Sequence, residues 1–261
     1  MNIIACAKSI HTPEKVSMDK RTGKAVFKDV PLILNPPDRV AVEAALRLRD
    51  THGGKVSIIS MGRSEAEDTL RGALAMGADE AFLLCDETFK DDPHVTAFVL
   101  AKAAEKIRDF DLILCGRRSF DGNNVQVGPQ LAGLLTLPVV TEVERIEVSN
   151  GKIVVEERLI LGVRVVELPL PALVTLTEDA YKARHPSSWD IYEAYHIKSV
   201  TMWTRKDLGV DERSEEIENP PIQTRRIFQI EEEKRRETLS GTLDEVAKDL
   251  AKRLIRFRRV V

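Results

Sequence analysis

Asp111-Leu112-Ile113-Leu114-Cys115-Gly116-Arg117-Arg118-Ser119-Phe120-Asp121-Gly122-Asn123-Asn124-Val125-Gln126-Val127-Gly128-Pro129 begins as a short apolar run and ends as the start of a helix. The apolar part reads as a buried strand, and the run from about Gln126 to Leu135 reads as a helix. A loop rich in Gly and Asn between a strand end and a helix start leaves backbone N–H groups unpaired. With the helix dipole, these favour an anion, most simply a phosphate. Gly122 lets the backbone approach a ligand, and Asn123 and Asn124 tolerate left-handed conformations. Arg117 and Arg118 add charge complementary to a pyrophosphate. A surface loop carrying two solvated arginines accounts for the same residues, because the stretch is not one of the sharply defined phosphate-loop motifs.

Outward from this loop the chain alternates. Ile3 to Ala7 reads as a first buried strand, and a polar hairpin of Lys15–Asp19 with Lys24–Lys28 turns at Arg21-Thr22-Gly23. Leu34-Asn35-Pro36-Pro37-Asp38 looks like a helix start with Asn35 as cap. The helix then runs from about Asp38 to Thr51, with Val42, Ala45, Leu46 and Arg49 on one stripe, and ends at Gly53-Gly54. Lys55–Met61 is a second strand, followed from Gly62 by a helix in which Ser64 and Glu67 have capping-box spacing. Glu80–Cys85 is a third strand, Pro93–Arg108 an Ala-rich helix, and Pro138–Thr141 a fifth strand after the one that opens this section. Strands alternating with helices argue for a doubly wound, mostly parallel sheet covered on both faces. Ligands bind such sheets beyond the strands' C-terminal ends. Cys6-Ala7-Lys8, Asn35, Ser60-Met61-Gly62 and Gly116–Gln126 all converge there.

The rhythm changes after Thr141. Val143–Val148 and Lys152–Leu161 flank Asn150-Gly151, a hairpin signal. Pro171–Thr177 is a further buried strand, and from Glu178 onward no α/β unit repeats. Residues 205 to 238 are charged and broken by Pro220-Pro221. Helix character returns from Thr242 to about Phe257, with Thr242 and Glu245 at capping-box spacing. A polar arm of this kind has little core of its own and wraps a partner, or else its helix packs back on the sheet. These features divide the 261 residues into an α/β domain over 1–180, its hairpin at about 143–161, and a segment over 181–261.

The composition, 43% hydrophobic and 31% charged, is that of a globular protein, and a formal net charge of −3 gives no general attraction to nucleic acid or anionic membranes. Among 39 Lys and Arg residues there is no basic stripe interleaved with aromatics, and no apolar run approaches the ~18 residues of a membrane span. Cys6, Cys85 and Cys115 each sit in a strand-like apolar run, which suits reduced thiols and a cytoplasmic location. None of the five His residues has metal-ligand spacing, so no metal is expected.

Asn35-Pro36 with Ala41-Val42-Glu43-Ala44-Ala45-Leu46-Arg47-Leu48, and Ala73-Leu74-Ala75-Met76-Gly77-Ala78-Asp79, occur in this order before the loop. Asp111–Arg117, Asp121-Gly122, Gln126-Val127-Gly128-Pro129, Pro171-Ala172-Leu173-Val174-Thr175 and Asp207-Leu208-Gly209-Val210-Asp211 follow. Together they make the sequence resemble the beta subunit of electron transfer flavoprotein over nearly its whole length. The resemblance implies a Rossmann-like, adenine-nucleotide-binding fold and a heterodimer with an alpha subunit, which holds the electron-shuttling FAD. The segment 181–261 would recognise partners and wrap that subunit.

The beta subunit would bury its own nucleotide: AMP with a structural role in single-electron shuttles, or a complete FAD that takes hydride from NADH in a bifurcating branch. Carried over by residue, the site comprises Cys6, Ala7, Asn35, Met61, Gly116, Asp121, Asn124, Val125, Gln126 and Val127. Gly62 joins them from the convergence of strand ends, and Arg117, Arg118, Gly122 and Asn123 from the loop reading. Cys6 and Met61 are equally explained as core filling, and Asp121 as a turn residue.

Three departures from the family pattern stand out. Asp121-Gly122-Asn123-Asn124-Val125-Gln126 replaces a loop closer to Asp-Gly-Asp-Thr-x-Gln. Leu161-Gly162 and Arg164 stand where an acidic–glycine cluster and a glutamate are frequent. Finally, Arg184–Tyr195 lacks the lysine run and plugging leucine of single-electron shuttles. Its Ile191-Tyr192-Glu193-Ala194-Tyr195 is similar to the Ile-Tyr-Asp-Ala-Phe of the anaerobic, NADH-oxidising branch. The expectation is therefore a beta subunit with FAD, taking hydride from NADH near Gly62-Arg63 and Arg117–Ser119. Electrons would divide between an acyl-CoA-type dehydrogenase and a low-potential acceptor. A shuttle subunit with AMP is the first alternative, and a stand-alone nucleotide-binding regulatory protein the second. The chain is not expected to be an enzyme by itself.

Overall fold

The computed structural model describes residues 1–12, 15–19, 25–149, 151–211, 214–219, 221 and 237–257. The elements in chain order are β1 (Asn2–Cys6), β2 (Ser9–His11), β3 (Ser17–Met18), β4 (Ala25–Val26), β5 (Leu32–Leu34) and α1 (Pro36–His52). They continue through β6 (Lys55–Met61), α2 (Glu67–Ala75), β7 (Glu80–Leu84), α3 (Pro93–Ile107), β8 (Leu112–Gly116) and α4 (Val127–Leu134). A meander follows of β9 (Val139–Ser149), β10 (Lys152–Leu159) and β11 (Gly162–Pro169), then β12 (Ala172–Leu176), α5 (Ser188–His196) and β13 (Val200–Trp203). The short α6 (Glu215–Glu218) and α7 (Leu243–Phe257) complete the chain.

A nine-stranded sheet runs β11-β10-β9-β12-β8-β1-β6-β7-β13. From β9 through β12, β8, β1, β6 and β7 to β13 every pairing is parallel, while β10 is antiparallel to both neighbours. Continuous apolar strands such as Leu112–Leu114, buried on both sides, are what a sheet covered on two faces demands. One core cluster joins α1 and α2 to the sheet, and the other joins α3 and α4. The chain passes from β1 to β6 and β7, then returns to the other side of β1 as β8. That reversal between β1 and β8 places the ligand crevice.

Several expectations need correction. Pro138–Thr141 and Val143–Val148 are one 11-residue strand, β9, which pairs with β12 in its first part and β10 in its second. Glu142, with φ of 57°, marks the irregularity between the two pairings. The hairpin after it gains a third strand, β11, whose alternation Val163, Val165 is exposed and so carried no burial signal. Another α/β unit does follow Glu178: β13 joins the sheet parallel to β7, after helix α5 capped by Ser187 and Asp190. The capping box hid in the aperiodic Ser187-Ser188-Trp189-Asp190. Ser64 lies in a single 3₁₀ turn and caps nothing. Ser17–Met18 and Ala25–Val26 do pair as an antiparallel hairpin, whose turn at Arg21-Thr22-Gly23, like Asn150 and Pro220, lies outside the described residues.

Two compact units result, Met1–Ile227 and Phe228–Val261. In the second, Glu245 accepts the Thr242 N–H at 2.9 Å, the capping interaction expected there. Helix α7 leaves Leu250, Leu254 and Ile255 exposed.

Candidate functional site: a cleft at the strand ends

The C-terminal ends of β1, β6 and β8 form the floor of a cleft, and the N-terminal turns of α1, α3 and α4 form its walls. Its empty space is about 820 Å³, the solvent-open mouth included. Cys6, Ala7, Asn35, Met61, Gly116, Arg117, Arg118, Asn124, Val125, Gln126 and Val127 line it, so most of the residues singled out in the sequence meet in one place. Gly62, Asp121, Gly122 and Asn123 are not on its wall. Gly62 follows β6, its N–H bonded to the Leu84 carbonyl, and lies against Ala66, while Asp121 and Asn123 hold Lys8 and Arg118 of the wall.

Asn35 is fully buried at the N-cap position of α1, yet its side chain does not cap the helix. Its Nδ2 donates to the Arg118 carbonyl at 2.9 Å and its Oδ1 accepts the Phe120 N–H at 3.1 Å. The expected cap is therefore a clamp on the loop after β8. The first-turn prolines of α1, Pro36 and Pro37, reduce the need for a cap, since two of the orphan N–H groups are absent.

The two arginines are already partnered. Arg117 forms an ion pair with Glu142, and Arg118 Nε donates to Glu178 at 2.7 Å while its Nη1 donates to Asn123 at 2.7 Å. Desolvation is the largest single influence on the Glu178 carboxyl and raises it, but the Arg118 and backbone hydrogen bonds and the charges of Arg118 and Arg117 together outweigh it, and the net direction is down. Lys8 Nζ meets Asp121 at 2.9 Å and Asp91 at 3.7 Å. At Asp121, too, burial pushes up and Lys8 pulls the carboxyl below its usual value. The cations at the cleft thus fix the loop, and positive potential for an anion comes chiefly from the α4 terminus and backbone amides.

Asn123 adopts φ of 50°, as expected of the loop, but the other left-handed residue is Val125, at 52°, rather than Asn124. A β-branched residue there is strained, and such strain persists only where the surroundings hold it. Val125 sits between Asn124 and the first turn of α4, all on the cleft wall. Gly128 lets α4 lie against β12: a Cβ there would come within 2.5 Å of Thr175 Cγ2.

Sequence reasoning missed Asp38. Its carboxylate is 7% exposed and accepts the Lys8 N–H at 2.7 Å and the Gly116 N–H at 3.2 Å, bridging β1 and β8 at the reversal. Desolvation pushes its carboxyl up to about 7, against the backbone hydrogen bonds that oppose it. The two strand-end amides are consequently taken, and an anion must find its donors in the loop and α4 instead. The signal was an acidic residue two places after the Asn-Pro pair. Thr96 and Leu100 on α3, and Cys115 on β8, also line the cleft unforeseen. Among the described residues no cluster of three or more His, Cys, Asp or Glu could hold a metal ion.

A profile of the electron transfer flavoprotein domain matches residues 23–198. The electron transfer flavoprotein subunit beta of Thermoanaerobacterium thermosaccharolyticum is 39% identical over 255 residues, 97% of this chain and 98% of that protein. The chain belongs to the electron transfer flavoprotein beta-subunit family. The caffeyl-CoA reductase-Etf complex subunit CarD of Acetobacterium woodii is 37% identical over 97% of this chain and 98% of its own length. Protein FixA of Azorhizobium caulinodans is 36% identical over 87% and 84%. Electron transfer flavoprotein beta subunits pair with an alpha subunit and generally bind flavin or AMP. Among the described residues no helix is long and apolar enough to cross a membrane.

Proposed function

We propose that this beta subunit holds a complete FAD in the cleft between β1 and β8, and that the flavin takes hydride from NADH and divides the electrons between two acceptors. The observation that supports the reading is the open cleft at the strand ends, where Asn124 to Val127 and Gly116 meet the apolar Cys6, Ala7 and Met61, a surface that would take a nucleotide inside and let the rest of a larger cofactor emerge. The phosphates would lie on the amides of residues 124–126 and the α4 terminus, with the Asn124 and Gln126 side chains beside them. Cys6, Ala7 and Met61 would flank the base. The hydride chemistry is the cofactor's own; this chain positions it, excludes water from its adenylate end and presents NADH along Gly62-Arg63 and Arg117–Ser119.

The likeness to a caffeyl-CoA reductase-Etf complex subunit favours the bifurcating branch, with a low-potential acceptor and an acyl-CoA-type flavin dehydrogenase as outlets. Segment Arg184–Tyr195 is the docking surface we assign to that dehydrogenase. Arg184 anchors it to buried Glu43 at 2.9 Å, and Arg71 binds the Ala194 carbonyl at 2.6 Å. Trp189 and Tyr192, 63% and 50% exposed, stack on each other and face outward. Residues 1–180 supply the nucleotide site and residues 181–261 the partner contacts, the arm with α7 serving the alpha subunit. Anaerobic addition of NADH to the heterodimer tests the reading. Bleaching of the flavin absorbance is expected, and no bleaching at millimolar NADH would defeat it.

A further inference from the structure

Cys6 and Cys115 lie side by side on the cleft floor. The parallel register of β1 and β8 pairs Ala5 with Leu114, so these cysteines occupy the next rung, at the two strand ends. Both belong to the same core cluster, both are buried, and both line the cleft. The neighbouring Cys115 thiol, ahead of burial, pushes the Cys6 thiol well above its usual value. Adjacent strands lie roughly 4.8 Å apart, inside the Cα separation of about 4.4–6.8 Å that a disulfide spans. The third cysteine, Cys85, follows β7, donates its N–H to the Trp203 carbonyl and does not line the cleft.

We propose that Cys6 and Cys115 form a closable dithiol, a modification site for small organic disulfides whose access is governed by what occupies the cleft. One thiolate attacks a sulfur of the disulfide reagent, a mixed disulfide forms, and one equivalent of reagent thiol leaves. The neighbouring thiol then displaces the second equivalent. The balance is two protein thiols and one reagent disulfide giving one protein disulfide and two reagent thiols. Because the thiols meet solvent through the cleft they line, a nucleotide seated there shields them. With its thiol raised, Cys6 carries little thiolate, and the reaction quickens as pH rises.

The protection part rests on the nucleotide reading of the cleft; the dithiol part does not. The test uses the full chain carrying Cys85→Ser, freed of nucleotide, with oxidised glutathione at alkaline pH and intact-mass readout. Loss of two hydrogens is expected, and adding Cys6→Ala should stall the reaction at a single glutathione adduct on Cys115. AMP or FAD at about 100 times its Kd should slow closure roughly 100-fold. Retention of both thiols while they react readily after unfolding overturns the dithiol. Closure at equal rates with and without a bound nucleotide overturns the gating. Binding of AMP and FAD to the reduced chain is measured first; its absence defeats the nucleotide reading, and the mass change then decides the dithiol alone.

Discussion

The Asp38 carboxylate accepts the backbone N–H of Gly116 at 3.2 Å, across the point where the strand order reverses. A second bond, from the Lys8 N–H at 2.7 Å, makes one side chain the tie between the two strand ends beneath the cleft. Gly116 is required by this arrangement, because a Cβ would run into the carboxylate and lie 2.6 Å from the Pro37 carbonyl carbon. Gly116→Ala should therefore cost about 1–3 kcal/mol in a urea or thermal melt, as overpacking does, and should release bound nucleotide. Gly133→Ala, on α4 with open space around it, should be neutral or slightly stabilising.

Asp38 also predicts a pH dependence. Its folded carboxyl titrates near 7 rather than 3.8, so the native state binds the proton more tightly than the unfolded chain. Unfolding free energy from this group is greatest below pH 3.8 and falls as pH rises through 7. The whole difference corresponds to roughly 4 kcal/mol. Urea melts between pH 5 and 8 should show this decline, and Asp38→Asn should flatten it.

Glu43 predicts the opposite sign. It is buried, and although desolvation raises its carboxyl, bonds from Arg184 and Arg47 bring it below 4.5 overall. Its stabilisation is present above the unfolded value and disappears as pH falls through the folded one. Glu43→Ala should cost roughly 2–4 kcal/mol, less than a fully buried pair because Arg184 is partly solvated. Hydrogen exchange should then show segment 182–184 loosened before the sheet.

Most of the sheet was legible because Ile3–Ala7, Lys55–Met61 and Leu112–Cys115 are apolar runs bounded by Gly or charge, and a parallel sheet needs such strands. The same logic failed for β11 and β13, edge strands with exposed Val163, Val165 and Met202, where burial leaves no pattern. In the site, loop chemistry marked the residues that form the cleft wall. It could not show that Arg117 and Arg118 are held by Glu142 and Glu178, acids distant in sequence that arrive only through the bulged β9 and the end of β12. Asp38 escaped notice for a related reason: its role depends on β8 lying against α1.

Asn35 gives a prediction on function. Its side chain is the clamp for the Arg118 carbonyl and the Phe120 N–H, and Asn35→Ala leaves two part-buried backbone groups without it. A loss of about 1–3 kcal/mol is expected. Asn35→Asp retains the acceptor for Phe120 and should keep more stability while still weakening nucleotide retention, measured by equilibrium dialysis.

The most direct measurement is of the nucleotide content of the heterodimer. Co-purified with its alpha subunit and denatured, the complex should release two FAD per heterodimer, one of them from the cleft described above. One FAD with one AMP would contradict the account and make this subunit the structural half of a single-electron shuttle.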